Sequence, residues 1–244
     1  MDETIIFKQT GPVLSLMLNR PDCGNLITME MIGAVTERLR NLSKETRLVV
    51  FRGAGTDFCK GRDYKKAPED AGTDRSISAS AVRERMTTPI LAMYAAIKEL
   101  SVPTISVVQG AAAGFGCAFP CSCDIVLAGE RARFSLPEMR ERGLPPTLAM
   151  TALADRVNYR SLSYLVYSSA EIDSKTALSA GLVSVVCRDD ELDKQAQETI
   201  DAISSRPRES IKAVNRYLKL APYMEPRGRA ELGANLFAIA SASR

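Results

Sequence analysis

Histidine is absent from all 244 residues, and this excludes a large part of enzyme chemistry. Without imidazole there is no Ser-His-Asp or Cys-His nucleophile, the usual metal ligand is missing, and so is the commonest general base at neutral pH. Any proton transfer must fall to carboxylates, lysine, tyrosine or cysteine. Long apolar runs are missing too, so no segment reads as a membrane span. The first residues, Met1-Asp2-Glu3, lack the basic-then-apolar order of an export signal, and the expected location is cytoplasmic. Neither charge sign dominates: 32 Lys and Arg against 29 Asp and Glu leave +3, too little to imply nucleic acid or an anionic membrane. Six cysteines are present, at 23, 59, 117, 121, 123 and 187, with no CxxC pair. In a chain of this size without a secretion signal they read as reduced, buried thiols, and no metal site is expected.

The composition, 45% hydrophobic and 25% charged, suits one large core or a core with an appended helical part. Residues 4–9 and 12–18 read as a hairpin about Thr10-Gly11 at a sheet edge. Met31, Val35, Leu39 and Leu42 recur at helical spacing over 29–42, with Thr28 as cap. Residues 48–52 read as a strand. The polar stretch 64–88, with Pro68 and Gly72, reads as a loop, either a flap over a pocket or simply solvated. A helix over 89–100, a strand over 103–108, a glycine turn, a short helix and a strand over 124–128 continue a β-then-α alternation that favours parallel pairing. Helices are then expected over 148–157, 159–167, 175–180, 191–204, 209–220 and 229–242, with one strand at 182–187. No internal sequence repeat is evident.

Two glycine turns follow strands: Phe58-Cys59-Lys60-Gly61-Arg62-Asp63 after 48–52, and Gln109 to Cys117, containing Gly114-Phe115-Gly116, after 103–108. A strand running into a glycine-rich helix start leaves amide hydrogens free at the positive end of the helix dipole, where an anion or a polarised carbonyl can sit. Two such turns could each aim one amide at a shared oxygen. Taken alone, a glycine-alanine run is more often a close-packed turn. No Gly-Lys-Ser or Gly-Lys-Thr follows, which excludes a nucleotide hydrolase phosphate loop. Phe119 and the lack of a following acidic strand end speak against a dinucleotide fingerprint.

Together FCKGRD, GAAAGFGCAF and CDIVLAGERARFSLPE resemble the crotonase superfamily of enoyl-CoA hydratases and isomerases. The likeness runs almost end to end, from the hairpin and the Asn19-Arg20-Pro21 to Asn25 segment to the helices bearing Lys212 and Lys219. It implies an α/β fold, the crotonase (ClpP-like) spiral of repeated ββα units, with a core over residues 1–188 and a C-terminal helical trimerisation region over 189–244. It also implies an acyl-CoA enzyme in which backbone amides of Arg62 and Phe115 hold a thioester carbonyl while it becomes an enolate. Coenzyme A would come as part of the substrate rather than as a resident cofactor, held along Arg20, Cys23, Lys60, Gly61, Arg62, Asp63, Tyr64, Gly114 and Phe115. Arg20, Lys60 and Arg62 are placed to meet phosphates. For Arg62 a solvated surface charge is the equal alternative, and exposed charge is preferred for Lys212 and Lys219.

By the resemblance, catalytic carboxylates fall at three positions, which here carry Ala118, Glu138 and Pro146. Glu138 alone survives, so a hydration by two glutamates is put in doubt and a double-bond shift by one proton carrier is favoured. Flanked by Phe134, Leu136 and Leu144, Glu138 is expected to have a raised pKa. The plain alternative is a helix N-terminal glutamate after Pro137. Two further readings remain open: a hydratase with a substitute acid such as Asp63, Tyr94 or Glu141, and an acyl-CoA-binding protein with weak chemistry. A homotrimer or homohexamer is expected, and no membrane partner. RNA binding through Arg38, Arg40, Lys44 and Arg47 is disfavoured, because Glu37 and Glu45 intersperse them.

Overall fold

The structure is a computed structural model that describes residues 3–64 and 78–243. Strands β1 (Ile5–Thr10) and β2 (Val13–Leu18) form an antiparallel hairpin about Gly11, whose φ of +53° suits the turn. In β2 the alternation is strict: Leu14, Leu16 and Leu18 face the core. Helix α1 (Met29–Arg40) begins where the Thr28 hydroxyl accepts the Met31 N–H at 3.2 Å, and it buries Met31, Val35 and Leu39 as their spacing requires. Strand β3 (Leu48–Gly53) is buried on both faces, as expected of a strand inside a parallel sheet.

Next come α2 (Ala79–Val82), a π-helical turn over Arg83–Thr87, and α3 (Thr88–Glu99). The loop expected over 64–88 is therefore corrected for residues 79–88, which are helical; positions 65–77 lie outside the described residues. Ser78 caps this helix by accepting the Ala81 N–H at 3.2 Å, and the π-turn leads directly into Pro89, which has no N–H to give.

The remaining elements are β4 (Thr104–Val108), β5 (Ala111–Ala113), α4 (Phe115–Cys121), β6 (Ile125–Gly129), β7 (Arg133–Ser135), α5 (Glu138–Arg142), α6 (Thr147–Leu153), α7 (Tyr159–Ser168), β8 (Glu171–Asp173), α8 (Ser174–Ala180), β9 (Val185–Cys187), α9 (Leu192–Ser204), α10 (Arg208–Leu220) and α11 (Pro226–Ala242). Strand β9 is shorter than the expected 182–187, because Leu182 and Val183 turn inward to bond the Ala177 carbonyl.

A large sheet runs β1-β2-β3-β4-β6-β9, parallel from β2 onward, and a small one runs β5-β7-β8. Isolated parallel bridges, Ile27 with Arg62 and Cys59 with Ala112, extend the small sheet across the loops that precede α1 and α2. Each turn of the chain thus supplies one strand to the large sheet, one extended segment to the small sheet and then a helix. This is the repeated ββα spiral, present in structure although absent as a sequence repeat.

The main core lies between the large sheet and α1, α3 and α4, with Val49, Phe51 and Phe119 in it. On the opposite face, Leu48, Val50, Ile105, Val107 and Leu127 pack against Leu192, Ala196 and Ile200 of α9. Helices α10 and α11 pack on one another; Asn215 is the one buried residue of α10, and none of α11 is buried among the described residues. Among the described residues no helix is long and apolar enough to cross a membrane.

Candidate active site

The two glycine turns are joined by hydrogen bonds. The Cys59 N–H donates to the Ala111 carbonyl at 3.1 Å, and the Ala113 N–H donates to the Cys59 carbonyl at 3.0 Å. Beyond Cys59, the Gly61 carbonyl accepts from the Ile27 N–H at 3.0 Å. In a trans peptide the C=O and the following N–H point in opposite directions, so the Arg62 N–H faces away from Ile27. In the second turn the Gly114 carbonyl accepts from Cys117 and Ala118, each at 3.0 Å. By the same rule the Phe115 N–H points out of the start of α4, with no partner inside the helix.

Glycine is required where these backbones meet. A Cβ on Gly116 would stand 2.0 Å from the Cys59 carbonyl oxygen, and Gly114 adopts φ +54°, a region costly for any residue with a side chain.

Glu138 completes the arrangement. It opens α5 directly after Pro137, so the structural expectation for such a glutamate is met as well. Strand β7 brings it to the turn: the Gly114 N–H donates to the Ser135 carbonyl at 2.8 Å, while Phe134 and Leu136 are fully buried. The carboxylate lies against Gly114, so that a Cβ there would be 2.7 Å from Oε1. Oε2 is buried without a hydrogen-bond partner. Burial pushes the Glu138 pKa up, reinforced by the Glu141 charge and opposed by its own backbone N–H and by Arg142. At the other two carboxylate positions, Ala118 is fully buried and Pro146 lines an adjoining chamber.

Each site residue expected from sequence lines one cavity of about 520 Å³: Arg20, Cys23, Lys60, Gly61, Arg62, Asp63, Tyr64, Gly114, Phe115 and Glu138. Several do so differently from expectation. Arg20 is held by Asp63 at 2.8 Å, and Lys60 reaches Asp57 at 2.8 Å. Arg62 is not the solvated charge of the alternative reading. It is 7% exposed, turned inward over the Tyr64 ring at 4.2 Å, and burial holds its pKa below the ordinary arginine value. Lys219, expected to be exposed, is half-buried and donates to the Leu100 carbonyl beyond α3; Lys212 pairs with Glu209 at 3.1 Å.

Two further side chains matter to the cavity: Arg142, which the sequence reading did not single out, and Tyr94, which it named only as a possible substitute acid. Arg142 also lies over the Tyr64 ring, at 3.3 Å from its centroid; its position four residues after Glu138 in α5 was the available signal. Tyr94 of α3 is almost fully buried and stacks on Phe115 with ring centroids 5.7 Å apart. Its phenol pKa is raised by burial first and then by the Glu138 charge. Together Tyr94, Phe115 and Glu138 line an inner chamber of about 100 Å³ beside the main cavity. A buried proton carrier beside two outward-pointing amides can move a proton next to a carbonyl whose developing charge the amides stabilise.

Comparison with known proteins gives the same direction. The family model described as enoyl-CoA hydratase/isomerase matches residues 8–237. The 2,3-dehydroadipyl-CoA hydratase of Escherichia coli is 30% identical over 188 residues, covering 76% of this chain and 69% of that protein. The mevalonyl-coenzyme A hydratase sidH of Aspergillus fumigatus is 30% identical over 211 residues, covering 83% and 73%. A solved structure from Thermobifida fusca, in complex with CoA, superimposes with a TM-score of 0.88 at 22% identity, covering 98% of this chain and 93% of its own.

Proposed function

The chain belongs to the enoyl-CoA hydratase/isomerase family, the crotonase superfamily, and from that premise we propose that it shifts the double bond of an enoyl-CoA thioester from C3=C4 to C2=C3. The thioester oxygen sits between the N–H groups of Arg62 and Phe115. Glu138 as carboxylate takes a proton from C2, and the electrons pass into the carbonyl to give a dienolate held by the two amides. The protonated Glu138 then returns its proton at C4, and collapse of the dienolate leaves the conjugated thioester. Each amide is worth about 10²- to 10³-fold in rate. Glu138 suits both halves of the transfer because its raised pKa brings it toward the working pH.

One observation carries this reading: among the described residues the buried, unpartnered Oε2 of Glu138 is the one free carboxylate oxygen buried in the cavity wall. Ala118 and Pro146 cannot transfer protons, Asp63 is paired with Arg20, and Glu141 is exposed at the rim. Coenzyme A lies along the 20–23 and 60–64 turns, which form the outer wall of the cavity. The exposed apolar side chains Val214 and Leu218 of α10 and Phe237 of α11 pack on neighbouring copies in a homotrimer or homohexamer.

A hydratase reading is favoured by one feature, the buried Tyr94 phenol beside Phe115 and the Glu138 charge, which could supply the second acid. Incubating the protein separately with 3-enoyl and 2-enoyl thioesters decides between them. Conversion of the 3-enoyl to the 2-enoyl compound, with no hydrated product, is expected. Formation of 3-hydroxyacyl-CoA at a comparable or greater rate would overturn the isomerase assignment.

A further inference from the structure

The double-bond shift uses the backbone of Arg62 and leaves its side chain without a task. The residue is 7% exposed, and among the described residues its Nε has no hydrogen-bond partner while Nη2 meets the Met86 Sδ at 3.8 Å. The Tyr64 ring offers a π-face at 4.2 Å but no acceptor for Nε. Over the same ring Arg142 adds a second positive charge, 3.3 Å from its centroid. The half-buried cation nearby, Arg20, has Asp63 at 2.8 Å. A guanidinium withdrawn from water and left unpaired is costly, and an arriving anion repays that cost.

Where Arg62 lies identifies the anion. It belongs to the wall of both the main cavity and the inner chamber, at the junction that Tyr64, Phe115 and Glu138 share. The inner chamber, about 100 Å³, holds roughly three water volumes of about 30 Å³ each, which is room for a carboxylate at the end of a short chain and too little for a nucleotide. It lies beyond Phe115 and Glu138, where the far end of an acyl chain would go. Ile90 and Leu148 supply its apolar lining.

We propose that the substrate is a short enoyl thioester whose acyl chain ends in a second carboxylate, and that the Arg62 guanidinium pairs with it. Arg62 then has two separate roles: its amide faces the thioester oxygen, and its side chain selects the acyl group. The pairing also neutralises the incoming carboxylate beside the Glu138 charge, so that two anions can share the chamber.

This proposal rests on the thioester reading of the same cavity, and the experiment keeps the two apart. Calorimetry compares three unreactive saturated ligands of equal chain length: adipoyl-CoA, its ω-methyl ester and hexanoyl-CoA. The protein is expected to bind adipoyl-CoA on the order of 10- to 100-fold more tightly than the two neutral ligands. In Arg62→Met that preference disappears, and Arg62→Lys keeps part of it, since the charge survives without the planar fork. Equal binding of all three ligands by the unsubstituted protein, a comparison that needs no folded variant, would overturn the proposal. So would a preference undiminished in Arg62→Met. Isomerisation of 3-hexenoyl-CoA is measured alongside: turnover without ligand preference sinks only the carboxylate proposal, preference without turnover sinks only the double-bond shift, and no binding at all sinks both.

Discussion

Replacing Glu138 by glutamine should abolish most activity and yet make the protein more resistant to heat. The carboxylate is buried and its Oε2 lacks a partner, which for a charged group costs at least about 1–3 kcal/mol. Glutamine keeps the shape and removes the charge, so a gain of about 1 kcal/mol is expected. In a domain of this size that corresponds to roughly 2–4 °C in Tm. The sign follows from the pKa. A folded-state value raised by burial means that the native protein prefers the protonated carboxyl. Stability from this group is present below the ordinary glutamate pKa and is lost as pH rises through the folded-state value. The Tm advantage of Glu138→Gln should therefore be full at pH 7.5 and should vanish near pH 4. Activity, followed as conjugation of the 3-enoyl thioester by ultraviolet absorbance, should fall by about 10²- to 10⁴-fold. Melting is compared at one protein concentration, because association shifts Tm. A Tm lowered at pH 7.5, or a rate within a few-fold of the parent, refutes the description of Glu138 as a strained, buried proton carrier.

Gly114→Ala must accept φ +54° and a Cβ 2.7 Å from Glu138 Oε1, so activity should drop at least about tenfold and stability by about 1–2 kcal/mol; Gly11→Ala, at φ +53° with open space around it, should lose similar stability while kcat/KM is unchanged. Asp63→Asn leaves Arg20, with 14% side-chain exposure, without its ion pair, and denaturant unfolding should show a loss of about 3 kcal/mol. Burial raises the thiol pKa of Cys59 and Cys123 to about 12, so iodoacetamide at pH 8 with mass mapping should label Cys23 and Cys187 first and leave those two unmodified in the folded protein; early modification of Cys59 or Cys123 would contradict their burial.

The turns were legible because their work is done by backbone, and backbone geometry leaves its record in glycine. Gly116 is needed for close approach to Cys59 and Gly114 for a positive φ, so the spacing of both survives as a readable pattern whatever the side chains do. The strands of the large sheet were legible for a similar reason: Leu48 to Phe51 are buried on both faces, and a continuous apolar run is what double burial demands. Strand β5 was not, since three alanines have little strand preference. They are extended because Cys59 and β7 pair with them on either side, a tertiary cause with no local trace. The π-turn before Pro89 and the start of the helix at Ala79 were hidden by the polar composition of that stretch.

The inward turn of Arg62 was illegible for a deeper reason. Sequence reading places arginine at the surface because desolvation is expensive, and what offsets part of the cost here is the Tyr64 ring two residues on and the Met86 sulfur from the turn before α3. Arg142, which also lies over the Tyr64 ring, adds a like charge and so raises the cost. Neither Met86 nor Arg142 is close enough in sequence to suggest the arrangement. The stacking of Tyr94, a residue named in sequence only as a possible acid, on Phe115 was hidden in the same way, because it arises where α3 and α4 both pack on the inner face of the large sheet. Backbone chemistry common to a whole fold is thus written in short motifs, while the groups that line the acyl chamber converge from separate turns of the spiral. Those groups can change without disturbing the two amides, and this is how one shared enolate-forming arrangement can serve acyl chains of different chemistry.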